Sequence, residues 1–206
     1  MDKNELRKHY KQKRDAAGCT QSLQPSKTPV SPNFASNAKI FTHLINLPAF
    51  INANSVFSYV SFGSEVDTLK IIEYSLAQGK KTAVPKITGK RQMEFFKITG
   101  LAELEPNKHG ILEPIGSGVL NNPQPASQHG NIILIPGLAF SETMHRIGYG
   151  GGFYDVFLPQ APTAIKIGLC YDFQITQFDE DPHDVPLDII ITDKRIISPQ
   201  SSHSLF

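Results

Sequence analysis

The sequence predicts an α/β fold, with a mostly parallel central sheet and helices on both of its faces. Three nearly continuous apolar runs, at 131–137, 163–171 and 187–193, are typical of strands that are buried on both sides. Between 55 and 98, strand-like and helix-like segments alternate, as they do in βαβ units. Ligands of such sheets bind outside the carboxyl ends of the strands, so a site is expected there.

The amino-terminal segment predicts a helix with a basic stripe. Asp2 and Glu5 have the spacing of a capping box, and Leu6 and Tyr10 share an apolar face. Four cations follow one another along a second face at spacings of four, four and three residues: Lys3, Arg7, Lys11 and Arg14. The segment 15–32 is expected to be a loop.

A second helix and several strands are expected next. Ser31 and Pro32 predict the start of the helix. The residues that it is expected to bury are Phe34, Ala38, Phe41 and Ile45. Strands are predicted at 55–60, 81–87 and 93–98, and a helix at 67–80, with Asp67 near its start and Gly79 past its end. The stretch 99–130, rich in proline and glycine, is expected to be an irregular excursion over the surface.

The composition indicates a soluble protein with one domain over residues 1–206, expected in the cytoplasm and as a monomer. The chain has 206 residues, 40% of them hydrophobic, which is enough for one sizeable core. No apolar run approaches the roughly 20 residues of a membrane span, and the basic segment 1–14 lacks the apolar stretch of a signal peptide. Cys19 and Cys170 have neither disulfide nor zinc-site spacing. A formal net charge of +1 argues against a dedicated nucleic-acid binder.

The charge is distributed unevenly along the chain. Residues 1–14 carry six Lys or Arg against two acids. Residues 179–193 carry six acids: Asp179, Glu180, Asp181, Asp184, Asp188 and Asp193. The two segments could meet across a site for phosphate and metal. Ordinary solubilising charge accounts for the pattern equally well.

A glycine-rich stretch, MHRIGYGGGFYD at 144–155, lies between a buried strand and the predicted short helix FYDVFL at 153–158. Four of the five residues at 148–152, here called the glycine loop, are glycines, which let successive backbone N–H groups converge on an anion. The stretch matches neither G-x-x-x-x-G-K-[ST] nor G-x-G-x-x-G. A phosphate-binding loop and a flexible surface turn both fit, and the flanking Arg146 and Asp155 favour the first.

Several ordered motifs resemble those of one enzyme family. LIPGLAFSETMHRIGYGGGFYDVFL at 134–158 is similar to the signature of the 5-formyltetrahydrofolate cyclo-ligases, also called 5,10-methenyltetrahydrofolate synthetases, whose usual form is close to PGLAFD…RLGxGxGYYDR. The same family is indicated by KNELR at 3–7, EVDT at 65–68, GILEP at 110–114 and HDVPLDIIITD at 183–193. The resemblance implies a Rossmann-like α/β fold of the NagB/RpiA/CoA-transferase type.

The resemblance also implies an ATP- and Mg²⁺-dependent cyclisation of 5-formyltetrahydrofolate to 5,10-methenyltetrahydrofolate, which releases ADP and phosphate. A formamide oxygen is a poor leaving group, so attack by N10 on the formyl carbon alone would stall at a tetrahedral adduct. Transfer of the γ-phosphoryl group to that oxygen turns it into phosphate, which departs readily. The implied partners are therefore 5-formyltetrahydrofolate and ATP, with neither nucleic acid nor a membrane.

On the nucleotide side, the resemblance implies that Lys3 and Arg7 contact the phosphates and that Arg146 forks on the phosphoryl oxygens. Asp155 and Asp184 are the implied Mg²⁺ ligands, since Mg²⁺ prefers oxygen donors. The implied ATP-binding set, of which Arg146 and Tyr154 are the catalytic members, is Lys3, Arg7, Arg146, Ile147, Gly148, Tyr149, Gly150, Gly151, Gly152, Phe153 and Tyr154.

On the folate side, Glu65 of EVDT matches the family's pterin-binding acid, which accepts the N–H donors of the ring. Without the resemblance, Glu65 is a turn carboxylate between a strand and a helix. Apolar or stacking walls are expected from Val60, Phe62, Phe153 and Tyr154. The implied folate-binding set is Val60, Glu65, Tyr149, Gly150, Gly151, Gly152 and Phe153.

The chain departs from the family pattern in two ways. Tyr149 and Gly151 stand where relatives commonly have a basic residue, so the glycine loop lacks a cation. Lys86, after Pro85 at the end of a strand, is the candidate to supply part of that charge. Phe153 stands where the family usually has tyrosine, which removes one hydroxyl. Glu113 and the proline after it match the family's EP, with no role assigned beyond the shape of the loop.

Two other functions stay open. His145, His183, Asp155 and Asp184 raise the possibility of a metal-dependent hydrolase, although no H-x-x-x-H or comparable spacing is present. A non-catalytic folate-binding protein of the same fold is the second alternative, because the missing loop cation could reflect lost activity. Asp188 is the rival of Asp184 as a metal ligand, but its place at the start of a strand favours a capping or turn role.

Overall fold

A seven-stranded mixed sheet forms the centre of the computed structural model, which describes residues 1–17, 34–115, 130–181 and 184–199. Most of the predicted loop at 15–32, the helix start at Ser31 and Pro32, Cys19 and His183 lie outside these ranges. The strands are, in chain order, β1 (Ser55–Phe57), β2 (Lys81–Gly89), β3 (Gln92–Ile98), β4 (Leu104–Pro106), β5 (Leu112–Pro114), β6 (Asn131–Ile135), β7 (Ala139–Phe140), β8 (Arg146–Ile147), β9 (Ile165–Leu169), β10 (Ile189–Ile191) and β11 (Ile196–Ile197). The α-helices are α1 (Lys3–Ala16), α2 (Phe34–Ile45), α3 (Pro48–Ile51), α4 (Leu69–Ala77) and α5 (Phe153–Phe157).

The strand order in the main sheet is β11-β10-β9-β6-β1-β2-β3. The five central strands, from β10 to β2, are parallel, and only the edge strands β3 and β11 run antiparallel to their neighbours. The mostly parallel sheet is therefore confirmed. From β1 the chain first adds β2 on one side and later β6 on the other, so the strand order reverses between β1 and β6. Such a switch point opens a crevice at the carboxyl ends of the two strands.

Both faces of the sheet are covered, as predicted. In β6, Ile132 and Leu134 are buried in a cluster that includes residues of α2, α3 and α4. Ile133 and Ile135 point to the opposite face, into a cluster that includes Phe157 of α5. The alternation follows from the two-residue period of a strand. It explains why the strand sequences are apolar throughout.

The first helix begins as its capping box predicts. Asp2 Oδ1 accepts hydrogen bonds from the backbone N–H groups of Asn4 and Glu5, at 2.7 and 2.8 Å, and Glu5 Oε2 accepts one from the N–H of Asp2 at 2.9 Å. Leu6 and Tyr10 are buried together with residues of the β7–β8 region. This contact holds α1 beside the chain that follows β6, with its basic stripe near the carboxyl end of the sheet.

The second helix buries a different face from the predicted one. Ile40 and Leu44 are fully buried, whereas Phe34 is 52% exposed and Ala38 is also exposed. The prediction was wrong for these two residues, and the other two predicted residues are half-buried. Lys70 Nζ lies 4.5 Å from the centre of the Phe34 ring and covers part of it. The helix carries apolar residues on two adjacent stripes, and only the position of the sheet selects between them.

Two further differences concern strands. The first strand ends at Phe57, not at residue 60, because the chain there leaves the sheet: Thr68 Oγ1 donates to Tyr59 O at 2.7 Å and accepts from the N–H of Ser61 at 3.0 Å. The stretch 99–130 also contains a regular hairpin of β4 and β5, which its proline and glycine content concealed. Residues 116–129 of that stretch lie outside the described part.

Over the described ranges, no helix combines the length and apolarity needed to cross a membrane.

Candidate active site

A cleft of about 1130 Å³ opens at the switch point between β1 and β6. Its walls come from α1, the segment after β1, the β2–β3 hairpin, β5 and the chain from β8 into α5. All members of the implied ATP, folate and Mg²⁺ sets line this one cleft: Lys3, Arg7, Val60, Glu65, Arg146, Ile147, Gly148, Tyr149, Gly150, Gly151, Gly152, Phe153, Tyr154, Asp155 and Asp184. The cleft also lies where the predicted fold class places its ligands.

The glycine loop is held at the cleft by two short elements. Before it, β7 and β8 form a two-stranded hairpin that the sequence did not reveal, with Leu138 N–H donating to Ile147 O at 2.8 Å. After it, the predicted helix is confirmed as α5, which begins at Phe153. The loop backbone is therefore anchored at both ends while 148–152 faces the cleft.

Arg146 is a buried cation with one charged partner. Its Nη2 donates to Asp155 Oδ1 at 2.7 Å, and its side chain is only 6% exposed. Burial lowers the pKa of Arg146, and the nearby carboxylates of Asp155 and Asp184 oppose that shift. Burial also raises the pKa of Tyr154, whose ring centre lies 5.4 Å from the Arg146 guanidinium.

Two polar atoms in this part of the cleft lack partners. Within the described residues, neither Arg146 Nε nor the Tyr154 hydroxyl has a hydrogen-bond partner, although both atoms are buried. Leaving such groups unpaired costs about 1–3 kcal/mol each. We therefore expect a ligand or solvent oxygen to bind here.

The carboxylate of Asp184 is held by Lys3. Lys3 Nζ donates to Asp184 Oδ2 at 2.7 Å and to Asp181 Oδ2 at 2.6 Å. Burial alone would raise the pKa of Asp184, but Lys3 and the backbone N–H of Asp181 outweigh it and lower the pKa. The basic amino-terminal segment and the acidic segment near the carboxyl terminus thus do meet at the cleft.

The two predicted metal ligands, Asp155 and Asp184, both line the cleft, as does Asp181. Across the described residues, no three His, Cys, Asp or Glu side chains form a metal-binding group. The hydrolase alternative therefore gains no ligand set from the described part of the chain. His145 Nδ1 lies instead 2.9 Å from Glu180 Oε1. Asp188 lies outside the cleft and accepts a hydrogen bond from the N–H of Lys166 in the neighbouring strand β9 at 2.7 Å, so its expected capping or turn role stays a prediction.

Glu65 lies on the opposite wall. Its Oε2 accepts a hydrogen bond from the N–H of Phe62 at 2.9 Å, which is the turn role that the residues alone suggested. Its Oε1 accepts one at 2.6 Å from the hydroxyl of Tyr149, which belongs to the glycine loop. Burial raises the pKa of Glu65, and the hydrogen bonds from Tyr149 and Phe62 and the charge of Arg14 only partly oppose it.

Behind Tyr149 lies Arg14, the last cation of the α1 stripe, which is 4% exposed. Its Nη2 donates to the Tyr149 hydroxyl, its Nε to Ser64 Oγ at 2.9 Å and its Nη1 to Gly137 O at 3.3 Å. Because arginine can only donate, the single proton of the Tyr149 hydroxyl is left for Glu65. The hydroxyl of Tyr149 thus links Arg14 to Glu65.

Apolar side chains line the mouth of the cleft around Glu65. Phe62, Ile87, Tyr149 and Val156 are between 44% and 49% exposed, which is high for large apolar groups. Val60 lies deeper and is buried. Flat rings could bind against such a surface.

Sequence reasoning missed several residues of the cleft and misplaced one. Lys86 does not line the cleft: its Nζ donates to Pro114 O at 2.9 Å, so the expectation that it replaces the missing cation was wrong. Glu113, left without a role, does line the cleft and accepts a hydrogen bond from Asn107 Nδ2 at 2.9 Å. Arg14 and Arg91 also line it. The i, i+4 stripe of α1 was a signal for Arg14, whereas nothing in the hairpin sequence indicated Arg91.

Comparison with known proteins agrees with the motifs. The model of the 5-formyltetrahydrofolate cyclo-ligase family matches residues 1–193. A probable 5-formyltetrahydrofolate cyclo-ligase of Schizosaccharomyces pombe is 27% identical over 180 residues, which cover 79% of this chain and 86% of the relative. The solved structure of a 5,10-methenyltetrahydrofolate synthetase of Aquifex aeolicus has a TM-score of 0.79 at 27% identity, covering 100% of this chain and 97% of its own. One from Mycoplasma pneumoniae has a TM-score of 0.67 at 26% identity, covering 94% and 99%. Fold, cleft and matched length together show that this chain belongs to the 5-formyltetrahydrofolate cyclo-ligase family.

Proposed function

We propose that the protein catalyses the ATP- and Mg²⁺-dependent cyclisation of 5-formyltetrahydrofolate to 5,10-methenyltetrahydrofolate, with release of ADP and phosphate. The observation that carries the proposal is that the residues implied for ATP, folate and Mg²⁺ all line one cleft. Arginines and a glycine loop suited to phosphate, two carboxylates suited to Mg²⁺, and a carboxylate among exposed rings suited to a pterin all face the same space.

The folate would bind against the wall that carries Glu65. The carboxylate can accept the N–H donors of the pterin, and Val60, Phe62 and Phe153 offer apolar surface to the rings. Tyr149 keeps one oxygen of Glu65 turned towards the cleft. This placement would bring the formyl group towards the glycine loop.

The nucleotide would bind against the glycine loop, with its phosphates near Arg7 and Arg146. The γ-phosphoryl group passes from ATP to the formyl oxygen, N10 attacks the formyl carbon and gives up its proton, and the carbon–oxygen bond breaks with loss of phosphate, which can carry that proton away. No protein nucleophile is required, so catalysis consists of alignment and charge stabilisation. Arg146 Nε and the Tyr154 hydroxyl, both without a described partner, are the donors available to the transferred group.

The two carboxylates fit a Mg²⁺ ion that enters with the nucleotide. Asp155 and Asp184 would hold it together with phosphate oxygens and water, and the ion would neutralise charge on the phosphates. Each carboxylate already lies within hydrogen-bond distance of a cation, Asp155 of Arg146 and Asp184 of Lys3. Both cations would then be released to bind phosphate oxygens.

The reaction can be tested directly. The protein is mixed with 5-formyltetrahydrofolate, ATP and Mg²⁺, and the absorbance of the methenyl product is followed while ADP is measured. We expect one ADP per methenyl product and no product when Mg²⁺ is withheld. Product formed at full rate without nucleotide would contradict the mechanism.

A non-catalytic folate-binding protein is the second candidate. It is favoured by the lack of any Lys or Arg from 147 to 154, which leaves the loop without a cationic side chain of its own. Folate binding without ATP turnover in the same assay would support it.

A further inference from the structure

We infer that Arg91, in the turn between β2 and β3, is a further contact for the nucleotide phosphates and that it brackets the glycine loop together with Arg7. The inference rests on the proposed ATP-dependent function. It assigns a binding role to a part of the molecule that no motif includes.

The first observation is the position of the two guanidinium groups. Gly150 and Gly152 have positive φ angles of 90° and 70°, and each turns its hydrogen-bearing face towards an arginine. A Cβ built on Gly150 would lie 3.7 Å from Arg7 Nε, and one built on Gly152 would lie 3.7 Å from Arg91 Nε. Gly151 is therefore flanked by two cations, although the loop itself carries none.

The second observation is that Arg91 is available. Three of the other cleft cations, Lys3, Arg14 and Arg146, already bind carboxylates or a tyrosine hydroxyl. Over the described ranges Arg91 has no hydrogen bond and no ion pair, yet it lines the cleft. Lys11 shares this lack of described partners, but of these two cations Arg91 alone lies against a glycine of the loop. A lone guanidinium beside a loop of N–H donors forms part of an anion site.

The third observation is the backbone of Arg91. Its φ of 56° lies in the left-handed region, which glycine or asparagine would occupy at lower cost. The turn therefore holds an arginine where its backbone is unfavourable, and the side chain points at the cleft. A phosphate chain fits this position better than a single carboxylate, because it presents several charged oxygens to both arginines at once.

The test compares Arg91→Asn, Arg91→Lys and the matched control Lys90→Asn. Asparagine suits the left-handed backbone and removes the charge, while Lys90 is the neighbouring exposed cation that does not line the cleft. The KM for ATP is measured at saturating folate, and the KM for mono- and triglutamyl 5-formyltetrahydrofolate at saturating ATP. Thermal unfolding checks that each variant is folded.

We expect Arg91→Asn to raise the KM for ATP by about tenfold, the loss of one charge-assisted contact, and to leave both folate KM values within about twofold. Arg91→Lys should recover most of the affinity, and Lys90→Asn should match the parent protein. An unchanged KM for ATP would overturn the inference. So would a rise limited to the triglutamyl folate, which would assign Arg91 to the glutamate tail.

The proposed function and this inference fail in different ways. If the parent protein does not consume ATP, the function fails, and calorimetric ATP binding without folate then decides about Arg91. Equal ATP affinities of the parent and Arg91→Asn in that measurement would overturn the inference. Weaker binding by Arg91→Asn would support it.

Discussion

The two walls of the cleft differ in how far their charged groups are already paired. On the charged wall, Lys3 pairs with Asp184, and Arg146 with Asp155, so both of these carboxylates already have a cationic partner. On the apolar wall, large side chains are left partly exposed and Glu65 is the main charged group. The wall proposed for folate is thus largely preformed, whereas the wall proposed for the nucleotide would have to exchange internal ion pairs for ligand contacts.

This difference has an energetic consequence. Partly buried ion pairs are costly to break unless each member finds a new partner. A metal ion and a phosphate chain supply both partners together, since the metal takes the carboxylates and the phosphates take the cations. We therefore expect nucleotide and Mg²⁺ to bind as a unit, and folate to bind without either.

Asp155→Asn should show the largest effect. The carboxylate is assigned to the metal, so turnover should fall by roughly a hundredfold or more, while folate affinity without nucleotide stays within about twofold. Turnover is measured by methenyl absorbance and folate affinity by fluorescence. Asp179→Asn, at an exposed acid outside the cleft, is the control. A large loss of folate affinity would move Asp155 to the folate wall.

Glu65→Gln should have the opposite pattern. It keeps the size of the side chain but removes the charge that the pterin donors need, so the KM for folate should rise by about tenfold to thirtyfold. The KM for ATP should change little. Glu73→Gln, on the exposed face of α4, is the matched control. Equal losses for both substrates would show that the two walls are not separable.

The pH dependence of folate binding should also report on Glu65. Burial raises its pKa above the ordinary value of 4.5, so the carboxylate gains a proton at a higher pH than an exposed glutamate. Folate affinity should fall as the pH drops through that raised pKa. The contribution of this group to folding has the opposite sign: it decreases as pH rises from 4.5 through the raised pKa, because the folded state favours the protonated form. Glu65→Gln should flatten both pH profiles. If folate affinity of this variant still falls at low pH as in the parent protein, another group causes that fall.

Tyr149→Phe tests the link between the walls. It removes the hydroxyl that accepts from buried Arg14 and donates to Glu65, so the free energy of unfolding should fall by about 1–2 kcal/mol. Denaturant unfolding measures the change. Tyr74→Phe is the control, because the Tyr74 side chain makes aromatic contacts and its hydroxyl has no described hydrogen bond. Equal changes in the two variants would mean that the link adds no stability.

Gly151 should show the smallest effects. Its φ is not in the left-handed region, so its backbone admits a side chain, but a Cβ would lie 2.8 Å from the Phe153 ring, which must shift. Gly151→Ala should cost about 1 kcal/mol of stability. Gly151→Lys should lower the KM for ATP by only about threefold, since a charge-assisted contact of about 1.5 kcal/mol is offset by displacing the ring. Unchanged ATP affinity and turnover in both variants would argue that the loop does not contact the nucleotide.

Local patterns accounted for much of the molecule. The Asp2–Glu5 capping box and the apolar strands depend on neighbours in the sequence, so they could be recognised directly. Most of the predicted site residues belong to ordered motifs, and the implied ATP, folate and Mg²⁺ sets all line one cleft. Their individual roles, the single domain, the monomeric state and the cytoplasmic location stay predictions.

Other features depended on contacts between distant segments. The position of the sheet determined which stripe of α2 is buried. Lys86 donates a hydrogen bond to the carbonyl of Pro114. Arg14 is buried and donates hydrogen bonds to Ser64 and Tyr149. Each of these side chains had a plausible local role that the tertiary structure replaced. The direction of each side chain depends on partners that are distant in the sequence, and the periodicity of the sequence does not identify those partners.

The sequence by itself determined the α/β class, the family and the residues that gather at the cleft, because these depend on hydrophobic period and on motifs read along the chain. Only the tertiary structure decided that Arg91 approaches Gly152 and that Tyr149 connects Arg14 to Glu65. The residues in these contacts are between 61 and 135 positions apart, and their geometry depends on how the strand order reverses between β1 and β6.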